Sequence, residues 1–255
     1  MTTPDNKPKL ARRVKNELKF RELTVKSKQK VAGCFYRIVL AGDSLAGFSS
    51  QGFDDHVKVF FPAGNEKCVL PEITSEGIVW PDGPRPAARD YTPLAFDVER
   101  NELTIDFFIH DGGIASLWAE TAKPDDRLVI GGPRGSLVTP VDYAWQLYVC
   151  DESGLPAVRR RLLSLPEDIS VQVLVNCNQP QTQDYLNEFS PIHHIEWLNT
   201  EAIAEKLQSL SIPATDYYFW ITGEGEEVKQ LSDDLLATHS LDADYVRAVA
   251  YWHKK

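Results

Sequence analysis

No apolar run in this chain of 255 residues approaches the roughly 20 residues that a membrane-spanning helix needs. The first thirty residues also lack the apolar middle segment of a secretory signal. Membrane insertion and export are therefore not expected, and the cytoplasm is the expected location. Cysteine is scarce, and Cys34, Cys68, Cys150 and Cys177 form no C-x-x-C pair, which excludes a zinc knuckle and a redox dithiol. Three of the four lie in apolar runs, as buried reduced thiols do. Basic residues are scarce beyond the N-terminus. Residues 1–30 carry ten Lys/Arg against three acids, a net of +7, whereas the remaining 225 carry 17 basic and 34 acidic residues, a net of −17. An acidic body excludes broad nucleic-acid binding, which requires a basic face. The basic head either meets an acidic partner or phosphates, or is a solvated tail. There is no G-x-G-x-x-G, no P-loop, no internal repeat and no low-complexity stretch. With 43% apolar and 25% charged residues, what remains is an ordinary globular composition.

Two halves differ in grammar. From about Phe20 to Val138 the runs are short, β-branched and aromatic: Val31–Leu40, His56–Pro62, Gly77–Trp80, Asp90–Val98, Leu103–His110 and Arg127–Ile130. Tyr91–His110 reads as a hairpin turning at Glu99–Glu102, and Ala115–Thr121 as a short helix. Many strands and little helix predict a closed antiparallel barrel, because closure removes exposed edges. From Ala144 strands alternate with helices. Strands are expected at Trp145–Cys150, Ser170–Val175, Ile192–Trp197, Tyr217–Ile221 and Tyr245–Tyr251. Helices are expected at Pro156–Leu165, Thr200–Leu210 (with Thr200 as N-cap) and Glu226–His239. Such alternation predicts a parallel sheet with helices on its faces. The predicted domains are 1–140, a β-barrel preceded by a basic tail over 1–17, and 141–255, an α/β domain with the C-terminal segment.

Three stretches carry candidate chemistry. Arg89-Asp90-Tyr91-Thr92-Pro93 puts a cation and a flat aromatic on one strand face, with Thr92 on the other; a surface Arg beside a buried Tyr is the plain alternative. His110-Asp111-Gly112-Gly113-Ile114-Ala115-Ser116-Leu117-Trp118 ends a strand, turns on two glycines and starts a helix. Free N–H groups at a helix start attract phosphate oxygens, and Gly permits close approach; Ser116 adds a hydroxyl donor. Gly131-Gly132-Pro133-Arg134-Gly135-Ser136 is a tight turn with one cation, Arg134, either solvated or aimed at an anion.

Together these motifs closely resemble the siderophore-interacting protein family, FAD-dependent ferric-siderophore reductases of the ferredoxin–NADP reductase superfamily. Asp151-Glu152-Ser153-Gly154-Leu155-Pro156-Ala157, Gly223-Glu224 and Tyr251-Trp252 extend the likeness to about Leu18–Trp252. The resemblance implies an N-terminal FAD-binding barrel followed by an NAD(P)-binding-like α/β domain. It assigns Arg89, Asp90, Tyr91 and Thr92, with His110, Asp111, Gly112, Gly113, Ala115 and Ser116, to FAD. The flavin then carries the chemistry, with no further catalytic residue and no metal ligand set. His193 and His194 are adjacent and face opposite ways, which does not suit a metal.

Two departures stand out: Ile114 replaces the family's Pro, and His253 follows Tyr251-Trp252 in place of Arg. Pro at a helix start helps without being required. Anionic siderophores need a local basic pocket on so acidic a body; the candidates are Lys58, Arg247, and Lys254 with Lys255. The turn after the first α/β strand, with Asp151 and Glu152, offers acids to a pyrophosphate, so donor binding is expected to use Arg159 and its neighbours Arg160 and Arg161. The donor is NAD(P)H or a ferredoxin. The implied partner is a ferric siderophore, and the implied state a monomer. Two other readings stay open: a general NAD(P)H-dependent flavin or ferredoxin reductase without a siderophore site, and a non-enzymatic ferric-siderophore binding protein.

Overall fold

The computed structural model describes residues 9–61, 69–75, 77–177 and 179–254. Cys68 and Lys255 lie outside them. The chain divides into two compact units, one covering Arg13–Ser136 and the other Leu137 to the C-terminus with the residues preceding Arg13.

The first unit contains β1 (Arg12–Lys15), β2 (Phe20–Val31), β3 (Phe35–Ala41), β4 (Val57–Phe61), β5 (Glu72–Thr74), β6 (Gly77–Val79), β7 (Ala87–Tyr91), β8 (Pro93–Asp97), β9 (Glu102–Phe108), α1 (Ile114–Thr121), β10 (Arg127–Gly131) and β11 (Gly135–Val138). Its main sheet is antiparallel, in the order β7-β4-β10-β2-β3-β9-β8. The two edge strands, β7 and β8, are consecutive in the chain and separated only by Thr92. The sheet therefore curls until one short linker joins its edges, as the expectation of a barrel requires. Every second residue turns inward: Leu23 and Val25, Ile38 and Leu40, Val57, Val59 and Phe61, and Leu103, Ile105 and Phe107 form one buried cluster. That period of two is what a sheet with one dry face requires.

Several boundaries differ from the sequence reading. The expected strand Val31–Leu40 starts only at Phe35, as β3, because Ala32 and Gly33 take positive φ (48° and 69°) and reverse the chain between β2 and β3, leaving Val31 at the end of β2. Asp90–Val98 splits at Thr92 because its two parts pair with different strands, β7 with β4 and β8 with β9. Residues 77–79 pair with 72–74 in a small separate sheet. Part of the expected tail over 1–17 is a strand: β1 pairs with β11, and the Asn16 N–H donates to the Arg134 carbonyl at 3.1 Å. Backbone pairing holds there without an apolar stripe, so hydropathy gave no sign of it.

The second unit comprises β12 (Trp145–Asp151), α2 (Leu155–Ser164), β13 (Gln172–Asn176), β14 (His194–Leu198), α3 (Thr200–Gln208), β15 (Tyr217–Glu224), α4 (Gly225–His239) and β16 (Val246–Trp252). All neighbouring strands pair in parallel, in the order β14-β13-β12-β15-β16. This is the predicted doubly wound sheet. The central strands β12 and β15 are buried along almost their whole length, as parallel strands covered on both faces must be. Leu147, Val149, Phe219 and Ile221 meet Ile203 and Leu207 of α3 and Val228 and Leu235 of α4 in one core. The cap of α3 is Asn199, whose side chain accepts from the Ala202 N–H at 2.8 Å, and not Thr200. Asn holds the extended φ/ψ of a cap and reaches the third residue onward. Among the described residues no helix is long and apolar enough to cross a membrane.

Candidate functional site

In the first unit the two strongest motifs converge on one aromatic wall. Tyr91, at the end of β7, packs its ring 4.4 Å from that of Phe107 on β9 at a tilt of 46°, and Phe107 lies 5.4 Å from Trp118 on α1. Phe61 closes the group against Trp118 at 5.9 Å. Tyr91 is half-buried, and burial pushes its hydroxyl well above the usual tyrosine value, with Arg89 pulling weakly the other way. Its phenol thus stays neutral. Arg89 is exposed, and among the described residues its guanidinium makes one bond, to the carbonyl of Ala88 at 2.7 Å, which leaves its other donors for an anion. Thr92 is buried at the junction between the edge strands. Asp90 is tied to Lys58, its partner across the ladder, at 2.7 Å.

The glycine turn is shaped for close approach. Gly112 has φ +71°, with open space where a Cβ would stand. At Gly113 a Cβ would lie 2.6 Å from the His110 ring and 2.9 Å from Ser116 Oγ, so only glycine fits under that ring. Gly113 caps α1 with no side-chain bond, so the first N–H groups of the helix remain available. Two details correct the sequence reading. Ser116 is buried and its hydroxyl accepts from the His110 N–H at 3.0 Å, so it braces the turn from within and is not an outward donor. Its carbonyl partner is Phe108 at 3.5 Å, beyond which β9 does not continue to His110. A cation with open donors, the partly exposed Tyr91 ring backed by buried aromatics, and a glycine cradle at an open helix start match what FAD requires of a protein: a phosphate partner, a ring surface and room for a pyrophosphate.

In the second unit the strand order reverses between β12 and β15, and ligands of doubly wound sheets gather at the carboxyl ends of that pair. Asp151 and Gly223-Glu224 stand there. Asp151 accepts from the Ser153 N–H at 2.9 Å, from the Ser153 hydroxyl and from the Trp252 indole N–H at 2.6 Å. Burial nevertheless raises its carboxyl above the ordinary value, the donors only partly offsetting it. Gly223 has φ +148° and sits against Asp151, where a Cβ would come 3.1 Å from Oδ2. Glu224 caps α4 by accepting from the N–H groups of Glu226 and Glu227, and accepts the Lys254 N–H at 3.1 Å. These backbone donors, that of Lys254 first, hold its carboxyl below the usual range. The His253 ring packs over Gly225, where a Cβ would fall 2.1 Å from it. Trp252, His253 and Lys254 thus form a strap fastened across the switch point by residues from β12, β15 and α4. The motifs around Asp151, Gly223-Glu224 and Tyr251-Trp252 marked these positions in the sequence but not their contacts, because each contact joins positions far apart in the chain.

The remaining candidates fare unevenly. Lys58 belongs to the first unit, Arg247 and Lys254 to the second. Arg247 lies half-buried on edge strand β16, and Lys254 pairs with Glu227 at 2.7 Å. Arg159 is committed elsewhere: it donates to the Tyr185 carbonyl and Glu188, and its guanidinium lies 5.7 and 5.2 Å from the rings of Tyr185 and Phe189. Arg161 is buried, bonding the Tyr148 hydroxyl and the carbonyls of Thr139 and Pro140. Its place in the expected donor site is therefore corrected: α2 turns that face inward. Glu152 is buried at the same turn. His193 is buried and His194 exposed beside Glu196, and the described residues hold no group of three metal-ligating side chains. Cys34 and Cys150 are buried thiols in no disulfide, and burial drives Cys150 well above the usual thiol value.

Comparison with known proteins agrees with this arrangement. The family profile described as siderophore-interacting FAD-binding domain matches residues 24–137, and that described as siderophore-interacting protein matches 143–255. The chain is 53% identical over 256 residues to the NADPH-dependent ferric-chelate reductase of Escherichia coli (strain K12), covering 98% of this chain and 100% of that one. It is 27% identical to the ferric vibriobactin reductase ViuB of Vibrio cholerae serotype O1, over 89% and 87% of the two chains. A crystal structure of a siderophore utilization protein from T. fusca superposes with a TM-score of 0.84 at 29% identity, covering 96% of each chain. With both halves matched and a relative this similar along its whole length, the chain belongs to the siderophore-interacting protein family.

Proposed function

We propose that this protein is an FAD-dependent ferric-siderophore reductase that takes its electrons from NADPH and works in the cytoplasm. The observation that carries the reading is the convergence of Arg89-Asp90-Tyr91-Thr92 and His110–Trp118 on one aromatic wall, within the unit matched as an FAD-binding domain. NADPH as donor follows from the named activity of the Escherichia coli relative. Bound FAD supplies the electron transfer from a nicotinamide to ferric iron; the chain supplies binding, orientation and electrostatics. Ferric iron is the substrate metal, and its one-electron reduction weakens its hold on the siderophore.

Each residue then has a stated task. Arg89 meets phosphate through its free donors. Tyr91 offers its neutral ring face. Gly112 and Gly113 admit a pyrophosphate to the first N–H groups of α1, where the helix dipole favours it. Thr92, buried at the strand junction, fixes the backbone between the two edges. Lys58, Arg247 and Lys254 attract the anionic chelate. Lys58 and Lys254 already hold acidic partners, so their pull is a shared one, and exposed pairs of this kind cost little to open. Asp151 and Glu152 shape the donor side from the switch point. A ferredoxin remains the alternative donor, and a monomer the expected state.

The test is the purified, FAD-loaded chain under anaerobic conditions, with NADPH oxidation and trapped ferrous iron followed together. Stoichiometric ferrous iron that depends on both NADPH and ferric siderophore is the expected result. NADPH oxidation indifferent to siderophore would mean a general flavin reductase, and siderophore binding without turnover a carrier.

A further inference from the structure

Arg21 on β2 is a cation in an unusual position. It is only 3% exposed, yet no described acid lies within ion-pair distance of it. Its Nε donates to the Ser44 carbonyl at 3.0 Å, and Nη1 to the carbonyls of Gly132 at 3.1 Å and Lys19 at 3.4 Å, while the Phe48 ring lies 5.4 Å from the guanidinium carbon. No described residue accepts from Nη2. A buried charge is costly unless its donors are met, and carbonyl dipoles compensate it only in part. Desolvation accordingly lowers the Arg21 pKa, with Glu17 opposing.

Arg21 also lines a cavity of about 260 Å³ in the same unit. Lys15, Ser49 and Gln51 share its wall, and the described structure gives none of their side chains a hydrogen-bonding or ionic partner. Glu17, the one acid on the wall, is held by Lys19 at 2.9 Å. Arg134 follows the lining residue Pro133, is exposed, and has no described acid to pair with. On a chain of net charge −10 this is a local surplus of unpaired cations and neutral donors around one hollow. None of the residues assigned to FAD, siderophore or donor lines it.

We propose that this cavity is a subsite for a small oxyanion, one oxygen of which is taken by Arg21 Nη2 inside and a second by Lys15 at the rim. At roughly 30 Å³ per water the cavity has room for a phosphate or carboxylate group with its residual hydration. The anion completes the guanidinium's hydrogen bonds and neutralises its charge.

The FAD-loaded full chain is titrated with sodium phosphate and, separately, sodium acetate, each against sodium chloride of matched ionic strength. Binding is read by calorimetry and by the melting temperature. Saturating FAD keeps the flavin-phosphate site filled, so a response there does not contribute. Saturable binding of phosphate or acetate above the chloride control is expected, and whichever arm responds identifies the anion. Lys15→Ala, at an exposed position, leaves the fold intact and weakens binding by about tenfold, the loss of one charge-assisted hydrogen bond. Arg21→Met removes it altogether. If the Arg21 variant does not fold, the Lys15 result decides alone. Stabilisation matched by chloride, no saturable binding in either arm, or unchanged affinity in Lys15→Ala would overturn the proposal.

Discussion

Replacing Trp252 by Phe keeps an aromatic ring at the end of β16 and deletes one donor, the indole N–H that bonds Asp151 Oδ2 at 2.6 Å. Hydrogen bonds to charged groups contribute about 1.5–3 kcal/mol. Trp252 is 42% exposed, so solvent competes and the lower end, about 1.5 kcal/mol, applies. That corresponds to roughly a tenfold shift in the equilibrium between a fastened and an open C-terminal strap. The Lys254 N–H, bound to Glu224 at 3.1 Å, reports this opening through its hydrogen exchange. Exchange about tenfold faster in Trp252→Phe is expected, with the amides of β12 and β15 unchanged. The difference has a pH signature. The bond is strong while Asp151 is ionised, and its carboxyl already titrates above the ordinary value through burial. The gap between variant and wild type should therefore be full at neutral pH and shrink as pH falls through that raised value. Asp151→Asn retains an acceptor and should show a smaller rise. Equal exchange at Lys254 in Trp252→Phe and wild type would refute a fastened strap.

Tyr91→Ala should weaken FAD by roughly ten- to a hundredfold, since aromatic stacking on a base contributes about 1–3 kcal/mol. Tyr91→Phe should bind as wild type, because no described residue bonds the hydroxyl; fluorescence titration with FAD reads both. Gly113→Ala drives a Cβ to 2.6 Å from the His110 ring and 2.9 Å from buried Ser116 Oγ, so it should destabilise by about 1–3 kcal/mol in a urea melt and weaken FAD. Gly112→Ala, with open space but φ +71°, should cost only about 1–2 kcal/mol. Glu224→Gln removes the charge that receives three backbone N–H groups and should lower the melting temperature at neutral pH. A carboxyl held below its usual range stabilises above the unfolded value, and that contribution is lost as pH falls through the folded one, so the two melting curves should converge in acid.

The predicted barrel followed by a parallel α/β sheet was legible because each half obeys its own period. Leu23, Val25, Ile38 and Leu40 alternate on strands with one dry face, and the apolar runs Leu147–Cys150 of β12 and Tyr217–Ile221 of β15 mark strands buried on both faces. The motif around Arg89–Thr92 and the double glycine were legible as well, being local chemistry written in consecutive residues. Tertiary structure decided the rest. Only pairing with two different neighbours broke Asp90–Val98 at Thr92, and only backbone bonds drew residues 12–15 into a ladder. Arg159 and Arg161 read as free cations in a basic run, yet helical periodicity turned them toward Tyr185 and Tyr148. Asp151–Trp252, Glu224–Lys254 and Gly225–His253 join residues that a one-dimensional pattern cannot relate. Periodicity and turn chemistry are carried by neighbours along the chain, so the sequence alone determines them; which distant groups share a bond is settled only when the chain is packed and each buried donor must find its acceptor.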